Sequence, residues 1–251
     1  MSRVQLFGIG IDNLTMAETL ERLRDLLRGN GRGYVVTPNV DHVVRLQRDP
    51  QFREIYHGAA VVTPDGMPLL WASRFLGQPL KERVCGSDLV PELCRIASEE
   101  GASVFFLGGN PGVAEVAAEN LSRTFPSLRV AGTCAPPFGF ESDPAENRRV
   151  VEAIRESKAK VLFLALGAPK QEKWIARHIG GLPVKVALCI GSALDYPAGA
   201  ARRAPAWMRR GGLEWLWRVG LEPRRLAKRY LVEDMAFVGI FMKEWFRLRT
   251  S

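Results

Sequence analysis

Polar turns follow two of the short apolar runs in the sequence, and one of these turns carries a carboxylate. Asp65 stands in a Pro-Asp-Gly turn after one run, and Thr37 and Asn39 directly follow the run Tyr34–Val36. An Asp in such a turn usually only forms the turn, with its carboxylate bonded to the local backbone. Two polar turns at the ends of two strands favour another interpretation, in which Asp65 is a base and its neighbours orient a hydroxylated substrate.

Two further turns carry groups that could bind phosphate or sugar. Gly108, Gly109 and Asn110 lie between an apolar run and a helical pattern, where backbone amides can cradle a phosphate. The alternative is an ordinary tight connection, and the Lys-Ser/Thr of a P-loop is missing. Lys170 and Gln171 follow a Gly-Ala-Pro turn and could hold a phosphate or a sugar hydroxyl. Their alternative is a solvated first turn of a helix.

Several chemistries are disfavoured by the motifs that the sequence lacks. The three histidines show no metal-ligand spacing, and H-E-x-x-H, G-x-S-x-G and Asp-x-Asp are absent. These absences argue against metal-assisted hydrolysis and a serine-hydrolase site. Gly8 and Gly10 are not followed by a glycine at position 13, so a dinucleotide-binding fingerprint fails. We expect His42 and His57 to pack or face solvent on one helix.

The elements that must position these turns alternate between apolar runs and helical patterns. This alternation predicts an α/β fold with a Rossmann-like, open, mainly parallel sheet and helices on both faces. The turns that follow the strands then meet at one edge of the sheet, where ligands bind. Helices are predicted between residues 14 and 27 and over Asp143–Lys158. The runs are Tyr34–Val36, Ala60–Val62, Val104–Leu107, Val161–Leu166 and Val186–Ile190.

The alternation of apolar runs and helical patterns ends near residue 200, where a basic segment begins. Ala201–Tyr230 has a charge of +7 and three of the six tryptophans, whereas the whole chain has +8. We therefore predict a catalytic domain over residues 1–200 and a helical, basic appendage over residues 201–251. The positive electrostatic potential of such a segment would attract a negatively charged partner, namely an anionic membrane face, a nucleic acid or a diphosphate. Leu231–Leu248 is too short to span a bilayer and is expected to pack on the domain or on a partner subunit.

The cysteines predict a protein of the cell interior. All four are widely spaced and form no C-x-x-C pair, which is typical of reduced thiols. Neither a signal peptide nor a spanning helix is predicted. We expect a cytoplasmic protein, for which any contact with a membrane must be peripheral. Apolar faces around Trp217 and Phe241 would also permit a homo-oligomer.

Six motifs, in this order, resemble the WecG/TagA/CpsF family of bacterial glycosyltransferases over nearly the whole chain. They are Thr37-Pro-Asn39, Pro64-Asp65-Gly66, Glu82-Arg83-Val84-x-Gly86-x-Asp88-Leu89, Phe105-Phe-Leu-Gly-Gly-x-Pro111-Gly, Gly167-x-Pro-Lys-Gln-Glu172, and the segment from Arg203-Ala-Pro-x-Trp207 to Tyr230.

The resemblance implies an inverting, metal-independent transfer of an N-acetylhexosamine-type sugar, with ManNAc as the leading candidate. The donor would be a UDP-sugar, and the acceptor GlcNAc linked to undecaprenyl diphosphate, in synthesis of teichoic acid or another surface polysaccharide. No cofactor is implied, because the UDP-sugar is a substrate. Nucleic acid is not an implied partner.

The resemblance also assigns roles to residues at the strand ends. Asp65 is implied to be the general base, with Thr37 and Asn39 lining the sugar pocket. Arg83 and Gln171 are implied to border the active site, although on sequence grounds alone Arg83 would be a surface arginine.

Further implied roles concern the UDP and the appendage. Asp195 would bind the ribose of UDP. The appendage would dock on the membrane and close over the active site, so that Arg218, Arg225 and Lys228 or Arg229 face a diphosphate.

Two other classes of function use the same residues. A nucleic-acid-binding protein could employ the basic segment with stacking tryptophans, but it leaves the polar turns unexplained. A regulator that binds a UDP-sugar without turnover is the other alternative. The sequence does not specify the donor sugar.

Overall fold

The computed structural model describes residues 3–205, 207–208, 213–221 and 235–250. Its strands are β1 (Arg3–Leu6), β2 (Ile9–Asp12), β3 (Gly33–Val36), β4 (Val61–Val62), β5 (Ser103–Gly108), β6 (Arg129–Cys134), β7 (Val161–Ala165) and β8 (Val186–Cys189). Its α-helices are α1 (Met16–Arg28), α2 (Val40–Arg48), α3 (Pro50–Gly58), α4 (Met67–Phe75), α5 (Gly86–Glu99), α6 (Val113–Thr124), α7 (Pro144–Ser157), α8 (Lys170–His178), α9 (Glu214–Leu221) and α10 (Ala236–Arg249).

The central sheet has six strands in the order β4-β3-β8-β7-β5-β6, and every neighbouring pair is parallel. Helices cover both faces. Val35 belongs to the core formed with α1, α5 and α6, whereas Val36 belongs to the core formed with α2, α3, α7 and α8. Strands buried on both faces read as continuous apolar runs, which is why the sequence showed them. The predicted α/β class is confirmed.

Two features of the sheet region were not predicted. Strands β1 and β2 form a separate antiparallel hairpin, with Phe7 and Gly8 at positive φ angles of 56° and 83° in its turn. Gly8 therefore serves a tight hairpin turn, which favours glycine. Strand β6 lies at the edge of the central sheet, where it is only partly buried.

The helix boundaries follow local capping. Helix α1 begins with a capping box formed by Thr15 and Glu18, and Asp143 caps α7, so both predicted helices are confirmed. The expectation that His42 and His57 share one helix is wrong. Asp49 ends α2 and caps α3, and Pro50 stands at the first position of α3. Proline at this position starts a new helix rather than continuing the old one.

The C-terminal helix α10 packs on the same body as the sheet. Phe237 lies 5.3 Å from Phe7, measured between ring centroids, and Trp245 packs against the apolar core. The carboxylate of buried Glu244 accepts the Phe7 backbone N–H at 3.1 Å. The predicted boundary near residue 200 stays a prediction. In the described part of the chain, no helix is long and apolar enough to cross a membrane.

Candidate functional site

The two polar turns predicted to lie together are hydrogen-bonded to each other. The backbone N–H of Asp65 donates to the carbonyl of Pro38 at 2.8 Å, because β3 and β4 are neighbours that end at the same edge. Gly66 has φ 128°, a conformation that other residues rarely adopt. The Asp65 side chain is 32% exposed, whereas Thr37 is buried. A carboxylate that solvent can reach thus stands at the ligand edge of the sheet.

Asn39 has a structural role beside this turn. Its side-chain oxygen accepts the N–H of His42 at 3.2 Å and so caps helix α2. A Cβ on Gly66 would stand 3.9 Å from the Cβ of Asn39. The cap therefore fixes Asn39 against the turn that carries Asp65, which is compatible with its predicted place in a sugar pocket.

Arg83 is an inward-facing residue, so its interpretation as a surface arginine is wrong. Its guanidinium lies 3.0 Å from Glu214, 3.5 Å from Asp88 and 4.0 Å from Asp65, and its side chain is 15% exposed. The backbone N–H of Val84 donates to the carbonyl of Pro64 and brings this segment to the turn. Burial alone would lower the pKa of Arg83, but the negative neighbours outweigh it and raise the pKa.

A second guanidinium joins the same group of charges. Arg203 donates to Asp88 at 2.6 Å and to Ser87 at 3.0 Å, and the Cys85 thiol donates to Asp88 at 2.9 Å. Burial would raise the pKa of Asp88, but these hydrogen bonds and the two guanidinium groups lower it. Arg203 and Glu214 therefore attach the segment after residue 200 to the residues around Asp65. No role was predicted for Asp88, Arg203 or Glu214, although the first two stand in the recognised motifs.

Gln171 and Glu172 are buried, so the alternative of a solvated first helical turn is wrong for them. Gln171 is 3% exposed and Glu172 is 0% exposed. The Gln171 amide donates to Glu172 at 2.8 Å and its carbonyl accepts the N–H of Gly191 at 3.0 Å. Burial raises the pKa of Glu172 to about 7. The described protein atoms thus engage both ends of the Gln171 amide, whose predicted contact with substrate stays a prediction.

The raised pKa of Glu172 makes stability depend on pH. The carboxyl ionises near 4.5 ordinarily and at about 7 in the fold, so the folded protein binds more protons between these values. The contribution of Glu172 to stability therefore falls as pH rises from about 4.5 to about 7 and then levels off. We expect Glu172→Gln to lack this slope, so that its stability relative to the wild type grows by on the order of 3 kcal/mol over the interval. Urea unfolding at several pH values, with Glu152→Gln as the exposed control, measures it; parallel curves for wild type and Glu172→Gln would refute this assignment.

The structure also describes the surroundings of Lys170 and the position of Asp195. Lys170 lies 3.4 Å from Glu141 and 3.4 Å from the centre of the Phe138 ring. Asp195 ends a 3-10 helix that begins at Gly191, directly after β8. The binding of substrate by Lys170 and Asp195 stays a prediction.

The glycine turn after β5 has a steric explanation. Gly108 has φ 99°, and a Cβ there would stand 2.6 Å from the carbonyl oxygen of Ala165 on β7. Gly109, also at positive φ, donates its N–H to the same carbonyl at 3.0 Å. These contacts are those of a tight connection, and phosphate binding by Gly108, Gly109 and Asn110 stays a prediction.

The predicted arginines of the basic segment are not placed by the structure. Arg225, Lys228 and Arg229 lie outside the described residues, and so does the side chain of Arg218. Helix α9, which carries Arg218, contributes Glu214 to the group around Arg83.

Comparison with known proteins places the whole chain among glycosyl transferases. The sequence model of the glycosyl transferase WecG/TagA/CpsF family matches residues 4–251. The N-acetylglucosaminyldiphosphoundecaprenol N-acetyl-beta-D-mannosaminyltransferase of Staphylococcus aureus strain MRSA252 is 29% identical over 229 residues, covering 90% of this chain and 88% of that protein. The protein of the same name from strain NCTC 8325 / PS 47 has the same identity and coverage.

Proposed function

The chain belongs to the WecG/TagA/CpsF family of glycosyl transferases, and on this premise we propose that it transfers an N-acetylhexosamine from a UDP donor to GlcNAc linked to undecaprenyl diphosphate. ManNAc is the leading candidate for the donor sugar. The name of the relatives, which specifies transfer of N-acetylmannosamine to N-acetylglucosaminyldiphosphoundecaprenol, supports this substrate pair. The observation that carries the proposal is the accessible carboxylate of Asp65 at the sheet edge, 4.0 Å from Arg83.

In the proposed reaction Asp65 removes the proton from the acceptor hydroxyl. The oxygen attacks the anomeric carbon of the donor sugar as the bond to the UDP oxygen breaks. The proton resides on Asp65 at the end of the step and UDP departs with the bonding electron pair. A single displacement inverts the anomeric configuration. Thr37 and Asn39, on the turn bonded to that of Asp65, orient the sugars.

The leaving diphosphate requires positive charge, which we propose comes from arginines without a metal ion. Arg83 is largely withdrawn from solvent beside three carboxylates, and the phosphate would compete with these carboxylates for its N–H donors, because hydrogen bonds between a guanidinium and phosphate are charge-assisted. Arg218, Arg225 and Lys228 or Arg229 supply further charge. Asp195 binds the ribose, and Lys170 and the Gly108–Asn110 turn contact the donor.

We further propose that the protein works at the inner face of the cell membrane. The acceptor lipid lies there, and anionic headgroups attract basic segments. Trp207 is 66% exposed and Trp215 is 39% exposed, and tryptophan rings favour the membrane–water interface. The appendage then serves both to dock the protein and to cover the site. Membership of the family favours an enzyme over a nucleic-acid-binding protein and over a regulator without turnover.

Radiolabelled UDP-sugars and a short-chain polyprenyl diphosphate–GlcNAc test this function. We expect label to enter the lipid from one UDP-N-acetylhexosamine, with UDP released in equal amount. The rate should be unchanged in EDTA, since no metal takes part. A rate lost in EDTA and restored by Mg²⁺ would contradict metal independence, and no transfer from any donor would contradict the function.

A further inference from the structure

Glu172 is a fully buried acidic residue whose carboxyl group has few compensating partners. It stands in the first turn of α8 and is 0% exposed. Its Oε2 has no hydrogen-bond partner in the part of the chain that the structure describes. Arg45, whose charge acts on Glu172, is paired with Asp41 at 2.9 Å. A buried carboxyl with an unpaired oxygen destabilises a fold, and most of all in its charged form, so its presence points to a role other than stability.

The second observation is the direction of the Gln171 amide. An ionised carboxylate can only accept hydrogen bonds, and the carbonyl oxygen of a protonated carboxyl still accepts them. Glu172 Oε1 therefore requires the NH₂ end of Gln171, which donates to it at 2.8 Å. The amide carbonyl must then point the other way, where it accepts the N–H of Gly191 at 3.0 Å. Glu172 thus determines which end of Gln171 reaches Gly191.

This bridge spans two neighbouring strand ends. Gln171 follows β7, and Gly191 follows β8, which pairs with β7 in the sheet. Gly191 has φ 51° and begins the 3-10 helix that ends at Asp195. The preceding Ile190 lies against the start of α5, since a Cβ on Gly86 would stand 3.5 Å from its Cα. A Cβ at that position would also stand 3.8 Å from the Thr37 hydroxyl. The orientation of the turn after β8 therefore bears on the region around Thr37.

We propose that Glu172 is a positioning residue for the donor site, which acts by holding the Gln171 amide so that its carbonyl fixes Gly191 and the turn leading to Asp195. The inference rests on the proposed function in one respect, namely that Asp195 binds the ribose of the UDP donor. Glu172 itself touches no substrate.

Glu172→Leu tests the inference with two readouts. Without the acceptor, the Gln171 amide loses its fixed direction and the Gly191 N–H loses its partner part of the time. We expect hydrogen exchange of the Gly191 amide to accelerate about tenfold and KM for the UDP-sugar to rise about tenfold, with kcat nearly unchanged. Glu172→Gln retains an acceptor oxygen and should stay near the wild type in both. Glu152→Leu, on the exposed face of α7, is the matched control.

A double variant shows whether Glu172 acts through Gln171. Gln171→Leu should raise both quantities, and the double variant Gln171→Leu/Glu172→Leu should be no worse than Gln171→Leu alone. If Glu172→Leu does not fold, Glu172→Ala takes its place. Wild-type exchange at Gly191 in the folded variant would overturn the inference, as would fully additive effects in the double variant. Faster exchange in a protein that transfers no sugar would instead count against the proposed function alone.

Discussion

Replacing Asp65 with asparagine is expected to lower kcat for sugar transfer by about 10²- to 10⁴-fold, the usual contribution of a general base. Asparagine has the same shape but cannot take a proton from the acceptor hydroxyl. The Asp65 backbone bond to Pro38 and the φ of Gly66 do not depend on the carboxylate, so the turn should persist. Initial rates at saturating substrates measure the effect, and calorimetry should find UDP binding unchanged.

Two further variants, one at Asp65 and one away from the site, serve as comparisons for this result. Asp65→Ala should be at least as inactive, because it also removes the side chain beside Arg83. Asp25→Asn, on the exposed face of α1, makes the same chemical change away from the site and should leave kcat at the wild-type value. An Asp65→Asn protein within tenfold of the wild type would eliminate Asp65 as the base.

The second large effect concerns the membrane. Each basic side chain near an anionic surface contributes about 1 kcal/mol to binding, so neutralising Arg209, Arg210 and Arg224 of the basic segment together by glutamine should weaken partitioning about 10²-fold. Co-sedimentation with phosphatidylserine-containing vesicles measures this partitioning. The difference should shrink at high salt, because salt screens the attraction between exposed charges.

Substitution is preferable to deletion for this test. Deleting residues 201–251 would also remove α10, whose Phe237 and Trp245 pack against the core, so the measured binding would combine the loss of basic charge with the exposure of an apolar surface. The matched control neutralises three exposed arginines of the catalytic region, Arg22, Arg48 and Arg129. An equal loss of binding in both triple variants would mean that net charge, rather than the basic segment, drives docking.

The strands could be predicted from sequence where burial on both faces of the sheet produces a continuous apolar run. Five parallel strands were found because they are apolar on both faces, as Val104–Leu107 illustrates. Strand β6 was missed because it is only partly buried and its sequence has no continuous apolar run. The break between α2 and α3 was missed because the apolar pattern continues across the junction. The Asp49-Pro50 pair is nevertheless a signal for the start of a new helix.

The positions of the backbone turns in the candidate site could be predicted from the sequence, whereas the burial and partners of several side chains could not. The rule that parallel strands end at one edge brought Thr37, Asn39 and Asp65 together from sequence alone. The burial of Gln171 and Glu172 could not be predicted, because their polar surroundings indicate solvent and the decisive partner, Gly191, is 20 residues away. The inward position of Arg83 likewise depends on Glu214, 131 residues away in the chain.

The proposed mechanism is a single displacement in which Asp65 is a base and not a nucleophile. The anomeric configuration of the transferred sugar tests it most directly, by NMR measurement of the one-bond C1–H1 coupling in the product. We expect the configuration to be inverted relative to the UDP donor. Retention of the donor configuration would contradict the claim, because retention by an enzymatic carboxylate requires a covalent intermediate and a second displacement.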